Sequence, residues 1–131
     1  MSKKRKHAHP YVGMPAFLKL ELFSQQVQYA FDGVVPYLCG SSVKGKKWRD
    51  VDVRLILDDK PFRKRFGKRP FAAALNATNL AWSALGREMT GLPIDFQIQK
   101  RSHFESLYVD EPRIGLIEFS VAHGEWVEGD F

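Results

Sequence analysis

The sequence predicts a single small α/β domain in which a mixed β-sheet is covered by helices mainly on one face. Residues 50–57 and 93–99 alternate between apolar and polar side chains, which is typical of strands packed on one side. Apolar residues recur at helical spacing over residues 15–33 and 71–91. A chain of 131 residues with 44% hydrophobic content is long enough for one core. This succession of helices and strands favours a layered α/β arrangement.

The first predicted element is a helix that follows a basic N-terminal arm. The arm, residues 1–14, is expected to be flexible, and residues 15–131 are expected to form the domain. Pro15 precedes the helical pattern and Gly33 follows it, the positions these residues prefer at the two ends of a helix.

The later elements are predicted from the same two periodicities and from turn residues. They are a buried strand over 34–39, a turn or short helix over 41–48, strands over 50–57 and 93–99, a helix over 71–91, a helical or irregular segment over 102–109, a strand over 114–121 and a tail from 124. Pro and Gly residues predict a mobile loop over 60–70. This loop is rich in Lys and Arg around Phe62 and Phe66, which suits either contact with single-stranded nucleic acid or a basic loop held by two phenylalanines.

Charge is distributed unevenly along the chain. Residues 1–101 hold 19 Lys or Arg against 8 Asp or Glu, a net +11, whereas residues 102–131 hold 1 against 7, a net −6. The first part suits a polyanionic partner, although the same charge also serves solubility. The single cysteine, Cys39, cannot form an internal disulfide, and no signal peptide or membrane-spanning run is apparent. A cytoplasmic protein without a membrane partner is therefore expected.

The most informative motif is a pair of carboxylates that follows a glycine-serine turn. Asp50 and Asp52 would project from the same face of one strand, because alternate strand residues share a face. The turn Gly40-Ser41-Ser42 can present backbone N–H groups and hydroxyls to phosphates. In the alternative interpretation, the two acids are ordinary solvent-facing residues of an amphipathic strand.

This order of an apolar strand, Gly-Ser, a spacer and Asp-apolar-Asp-apolar resembles the nucleotidyltransferase superfamily related to DNA polymerase beta, and in particular its small bacterial and phage members. The resemblance covers residues 34–99, about half of the chain. The family places a third carboxylate on a neighbouring strand, and Asp95 in the segment 93–99 matches that position.

The resemblance implies a nucleotidyltransferase-like fold and a transfer of a nucleoside monophosphate from an NTP to a hydroxyl of RNA, a protein or a small molecule. Asp50, Asp52 and Asp95 would be catalytic and would bind Mg²⁺ or Mn²⁺. Gly40, Ser41, Ser42, Lys44 and Lys47 would contact the nucleotide phosphates. Because only about 30 residues follow the third acid, the acceptor would be bound by the basic loop, by a second copy in a homodimer or by a separate protein.

Two other classes of function remain open at this level. A nucleotidyltransferase-like domain without turnover could bind RNA or a protein partner. Another two-metal enzyme is disfavoured, since a restriction-type nuclease would need a lysine where the chain has Arg54, and a glycosyltransferase would need a longer domain.

Overall fold

The computed structural model describes residues 8–68, 72–108 and 110–117, and it confirms a mixed α/β fold. Within these residues the helices are α1 (Ala16–Ala30), α2 (Asp59–Phe66), α3 (Ala73–Thr90) and α4 (Arg101–Tyr108). The strands are β1 (Tyr37–Cys39), β2 (Val51–Leu57), β3 (Ile94–Lys100) and β4 (Ile114–Gly115), and a 3₁₀-helix covers Gly40–Val43. None of the helices in these ranges combines the length and apolar character needed to cross a membrane.

The four strands form one sheet in the order β3-β2-β1-β4. β1 runs antiparallel to both β2 and β4, while β2 and β3 are parallel and pair along their whole length, from Val51 opposite Ile94 to Leu57 opposite Lys100. The parallel connection between β2 and β3 passes through α2 and α3, as a crossover between parallel strands requires.

One face of the sheet forms the core beneath α1 and α3. Val53 and Phe96 from the strands are at most 1% exposed, and Phe23 of α1 is fully buried. The rings of Phe23 and Phe96 meet edge to face with centroids 6.1 Å apart. Gly86 of α3 allows this close approach, because a Cβ there would lie 2.9 Å from Ile94 Cγ2 and 3.0 Å from the Phe23 ring.

The segment predicted to be a mobile loop contains a helix instead, so that prediction was wrong. α2 spans Asp59–Phe66 and ends at Gly67, whose φ of 78° suits glycine. Pro61 lies in the first turn, where its missing N–H is not needed for a helical hydrogen bond. The rings of Phe62 and Phe66 contact each other at a tilt of 57°, with their centroids 5.4 Å apart. Residues 69–71 lie outside the described ranges.

Other boundaries differ from prediction by a few residues. β1 begins at Tyr37 rather than at residue 34, and β2 begins after Asp50 rather than at it. The last predicted strand is represented by Ile114–Gly115, and its residues 118–121 lie outside the described ranges together with the predicted tail.

The described part of the predicted N-terminal arm is anchored. His9 and Tyr11 donate their backbone N–H groups to the carbonyls of Val43 and Ser42, at 3.2 and 3.0 Å. Residues 1–7 lie outside the described ranges.

Candidate functional site

The parallel pairing of β2 and β3 brings two of the three predicted acids together. Asp52 lies directly opposite Asp95 in the register of the two strands, on the face away from the core. The Asp52 side chain is 23% exposed and that of Asp95 is 43% exposed. Two carboxylates therefore share one small area of the polar face, as the alternation of residues predicts.

Arg54 links the two carboxylates. Its Nη2 atom lies 3.4 Å from Asp52 Oδ1 and 3.4 Å from Asp95 Oδ2. Its Nη1 atom donates to the backbone carbonyl of Asp95 at 2.7 Å and to that of Val53 at 3.2 Å. The guanidinium is thus fixed by both strands and supplies one positive charge to two acids.

The single guanidinium does not fully compensate Asp52. Burial raises the pKa of the Asp52 carboxyl above its ordinary value of 3.8, and the charges of Asp95 and Asp50 raise the pKa further, while Arg54 opposes them. The Asp52 carboxyl is therefore harder to ionise than an ordinary carboxyl, and a cation bound beside it would stabilise its charged form.

The glycine turn lies against this carboxylate. Gly40 has a φ of 73°, and a Cβ at this position would overlap the Asp52 carboxylate. Only glycine satisfies both the left-handed backbone conformation and the close approach. The end of β1 and the first residue of the 3₁₀-helix are consequently in contact with the acid of β2.

A cavity of about 310 Å³ opens beside Asp52 and Arg54. Gly40 forms part of one wall, together with Lys44, which pairs with Glu111 at 2.9 Å between Nζ and Oε2. The wall consists of Cys39, Gly40, Lys44, Asp52, Arg54, Gln97, Gln99, Phe104, Glu111, Pro112 and Arg113. The volume of the cavity lies at the lower end of the range for sites that bind small ligands.

Two side chains in the cavity wall carry buried polar atoms that have no hydrogen-bond partner in the described part of the chain. They are Nε and Nη1 of Arg113 and Oε1 of Gln99. The Arg113 guanidinium lies 5.1 Å from the Tyr37 ring centroid and 5.3 Å from that of Phe104, so two aromatic rings hold it. Unpartnered donors and acceptors in one cavity wall are typical of a surface that a polar ligand completes.

Cys39 lies in the same wall but is poorly suited to nucleophilic chemistry. Burial raises the pKa of its thiol to about 11, against the lowering effect of Arg54 and Arg113. The thiol is therefore protonated at neutral pH.

Only some of the other predicted site residues line the cavity. Gly40 and Lys44 line the cavity, whereas Asp50 and Lys47 are exposed outside its wall. Ser42 is fully buried and its hydroxyl donates to the Cys39 carbonyl at 3.5 Å, while the Ser41 hydroxyl accepts the Arg49 backbone N–H at 3.4 Å.

Several cavity residues were not singled out from the sequence. Glu111 and Arg113 belong to residues 102–131, whose net negative charge did not indicate a site. Gln97 and Gln99 alternate with Asp95 on the polar face, so strand periodicity was the signal that could have identified them.

The described residues contain no group of three His, Cys, Asp or Glu side chains arranged to hold a metal ion. Asp52 and Asp95 nevertheless fit one mode of divalent binding. Mg²⁺ is commonly held by one or two protein carboxylates, with phosphate oxygens of the substrate and waters completing its octahedron. The donor set fits a cation shared with a nucleotide, and it does not fit a cation enclosed by protein ligands alone.

Comparison of the chain with protein-family models, with curated proteins and with solved structures found no match. Its function is therefore inferred from the site itself.

Proposed function

We propose that the protein is a metal-dependent nucleotidyltransferase that moves a nucleoside monophosphate from an NTP to a hydroxyl acceptor. The observation that carries the proposal is the placement of Asp52 opposite Asp95, beside a cavity that begins at the Gly40 turn. Carboxylates on adjacent strands next to a glycine turn correspond to two of the three acids that the sequence resemblance assigns to the site, while Asp50 is exposed outside the cavity wall.

The bound nucleotide would lie in the cavity with its phosphates toward the cationic side chains. Lys44 and Arg113 are both in the wall, and Arg113 is held in place by two rings. Fixed positive charge at this position would stabilise the charge that develops on the departing pyrophosphate. A divalent cation held by Asp52, Asp95 and the phosphates would act as a Lewis acid on the phosphoryl group.

In the transfer step, the acceptor hydroxyl oxygen forms a bond to the α-phosphorus. The bond between that phosphorus and the oxygen bridging to the β-phosphate breaks, and pyrophosphate leaves with the electron pair. Asp95 is the more exposed of the two carboxylates and is assigned the hydroxyl proton. Asp52, nearer the Gly40 turn, is assigned to holding the nucleotide side of the site.

A second candidate function is a binding module without turnover. Arg54 supports it, because this guanidinium bridges both carboxylates and hydrogen-bonds two backbone carbonyls. In such a module the acids would hold β2 and β3 together, and their loss would affect stability and not chemistry.

The two candidates are separated by replacing Asp95. The protein is incubated with each α-labelled NTP, with Mg²⁺ or Mn²⁺ and with total cell RNA or lysate, and label transfer is measured. Asp95→Asn should reduce transfer by roughly a thousandfold, because loss of a metal-supporting base removes several kcal/mol of barrier lowering. Nucleotide affinity should change modestly.

Asp32→Asn is the matched control, since it makes the same chemical change in a side chain that is 95% exposed. Transfer by this variant should equal that of the parent. Near-normal transfer by Asp95→Asn would assign Asp95 to the strand pairing and remove it from the chemistry. Absence of transfer by the parent with every NTP would favour the binding module.

A further inference from the structure

A second, larger groove lies along the outer edge of β3, the terminal strand of the sheet. We call it the edge groove. It has a volume of about 910 Å³ and is bounded mainly by α3 and β3, with contributions from Phe62, Lys68 and His103. Asp95, Gln97 and Gln99 line it, and the two glutamines also line the candidate nucleotide cavity. The edge groove and the nucleotide cavity therefore meet at Gln97 and Gln99 of β3, and Asp95 lies in the lining of the edge groove.

Polar side chains of α3 close the free edge of β3 to a further strand. Ser83 Oγ accepts the Phe96 backbone N–H at 2.9 Å, and Asn79 Oδ1 accepts that of Ile98 at 2.9 Å. An extended peptide that added to this edge would need those two N–H groups as donors. The edge groove is consequently unsuited to binding a protein by strand addition, although it remains open to solvent.

The charge of the edge groove is strongly positive. Lys68, Arg87 and Lys100 line it, and Asp95 is the acidic residue among its described lining. Within the described ranges, none of these three cations has an acidic partner at ion-pair distance. Apolar side chains also form much of the lining, and Leu80, at 61% exposure, is prominent among them. The cations therefore favour an anionic ligand, and the apolar lining favours one that also carries apolar or aromatic faces.

The cations are spaced along the groove. The hydrogen bonds of Ser83 to Phe96 and of Asn79 to Ile98 show that α3 and β3 run in opposite directions, with four residues of α3 alongside two residues of β3. The two segments have similar lengths, since four helical residues cover about 6 Å and two strand residues about 6.6 Å. Arg87 thus lies at the Asp95 end, while Lys100 lies five residues further along β3, about 17 Å away along the strand. Positive charges at both ends of a long groove suit a ligand with regularly repeated negative charge.

We infer that the edge groove binds a single strand of nucleic acid through its phosphates and presents its terminal hydroxyl at Asp95. The assignment of the strand end as the acceptor rests on the proposed nucleotidyl transfer. The terminal hydroxyl oxygen would bond to the α-phosphorus of the NTP, and pyrophosphate would leave as the bond to its bridging oxygen breaks. The strand would gain one nucleotide through a new phosphodiester.

The test is binding of a fluorescently labelled single-stranded oligoribonucleotide over a range of salt concentrations, followed by anisotropy. The groove variant is Arg87→Gln with Lys100→Gln. The control is Arg49→Gln with Lys19→Gln, which removes the same two residue types. Arg49 and Lys19 are exposed outside both cavity walls. A Tm measurement on each variant checks that the fold is retained.

The groove variant should bind at least tenfold more weakly, and the slope of log affinity against log salt should decrease by about 1.4 if two phosphate contacts are lost. The control should keep the parent slope. Equal losses in the two variants would assign binding to overall charge and overturn the inference. It would also be overturned by tighter binding of a duplex of the same sequence, or by displacement of the oligonucleotide by polyglutamate at equal charge concentration.

Two further readouts separate this inference from the proposed function. Addition of one nucleotide to the oligonucleotide should fail in the groove variant at low strand concentration, while its Tm response to Mg²⁺ and NTP should match that of the parent. Transfer to a protein or small molecule without oligonucleotide binding would retain the nucleotidyltransferase and overturn the groove assignment. Groove-dependent binding by a parent that transfers nothing would retain the binding groove and overturn both its acceptor role and the proposed activity.

Discussion

The two faces of strands β2 and β3 are built from alternate residues of the same segments, yet they have opposite character. On the core face, Val53, Phe96 and Ile98 are at most 3% exposed and pack beneath helices. On the polar face, Asp52 and Asp95 lie opposite each other, and Asp52 is kept partly away from water with one guanidinium between the two acids. Burial on the core face stabilises the fold, whereas burial on the polar face opposes ionisation of a carboxylate.

On the polar face, the chain retains groups that are unfavourable in the absence of a ligand. Asp52, whose pKa is raised, and the buried polar atoms of Gln99 and Arg113 that have no partner in the described chain lie in the wall of one cavity. Strained or under-compensated groups of this kind tend to be retained where a ligand completes them. Substitutions on the core face should therefore reduce the stability of the fold, whereas substitutions on the polar face should reduce ligand binding.

Truncation on each face gives the largest expected contrast. Phe96→Ala removes a ring that is 1% exposed and packs against both Phe23 and Trp82, so it should lower the free energy of unfolding by about 3–5 kcal/mol. Gln97→Ala, the next residue on the same strand, should change it by no more than about 1 kcal/mol. Urea denaturation followed by tryptophan fluorescence measures both. Similar losses for the two variants would contradict the assignment of the faces.

A methyl group at the glycine turn tests how closely it approaches Asp52. Gly40→Ala should lower the free energy of unfolding by about 1–3 kcal/mol, because a left-handed residue gains a Cβ that overlaps a carboxylate. Gly45→Ala is the control, since its Cβ would meet nothing within 4 Å, and its change should stay within about 0.5 kcal/mol. Equal stability of the two variants in urea would remove the turn from contact with the acid.

Two carboxylates should affect the pH dependence of stability with opposite signs. The pKa of Asp52 is raised above 3.8, chiefly by burial, so its contribution is fully present below pH 3.8 and is lost as pH rises through the folded-state pKa. Asp52→Asn should therefore have a Tm equal to that of the parent or up to a few degrees higher at pH 7, with the difference vanishing below about pH 4.

Asp59 provides the comparison. The Ser102 backbone N–H, 3.0 Å from Asp59 Oδ1, lowers the pKa of this carboxyl below 3.8. Its stabilising contribution is present above pH 3.8 and is lost as pH falls through the lower folded-state pKa. Asp59→Asn should consequently have the lower Tm at pH 7 and approach the parent in acid. Thermal melts between pH 2 and 8 measure both variants, and a shared sign would show that the Asp52 charge is well compensated.

Strand periodicity explains why much of this fold could be predicted. Alternation along residues 50–57 and 93–99 identified the core face, and it placed Asp95 and Asp52 on the same side before any pairing was known. The capping signals around α1 and α3 were equally local, with Gly91 ending α3 at a φ of 72° as predicted for a helix C-terminus.

The remaining features depend on contacts between distant residues. α2 was missed because Pro61 and Gly67 indicated a loop, although Pro61 lies in the first turn of the helix and Gly67 follows its last residue, where neither disrupts it. Arg54 could not be assigned a role until the register placed Asp95 across from Asp52. Arg113 is in the cavity because β4 pairs with β1 and brings the preceding residues alongside Tyr37, which no local pattern indicates.

We propose that Asp52 and the cavity beside it bind a nucleotide together with a divalent cation. The decisive measurement is the Tm of the parent, Asp52→Asn and Asp32→Asn with Mg²⁺ and each NTP in turn. A ligand at 100 times its Kd stabilises the folded state by about 2.7 kcal/mol, so at least one NTP should raise the Tm of the parent and of Asp32→Asn by several degrees and leave Asp52→Asn unchanged. An equal rise in all three proteins, or no rise in the parent with any NTP, would contradict the claim.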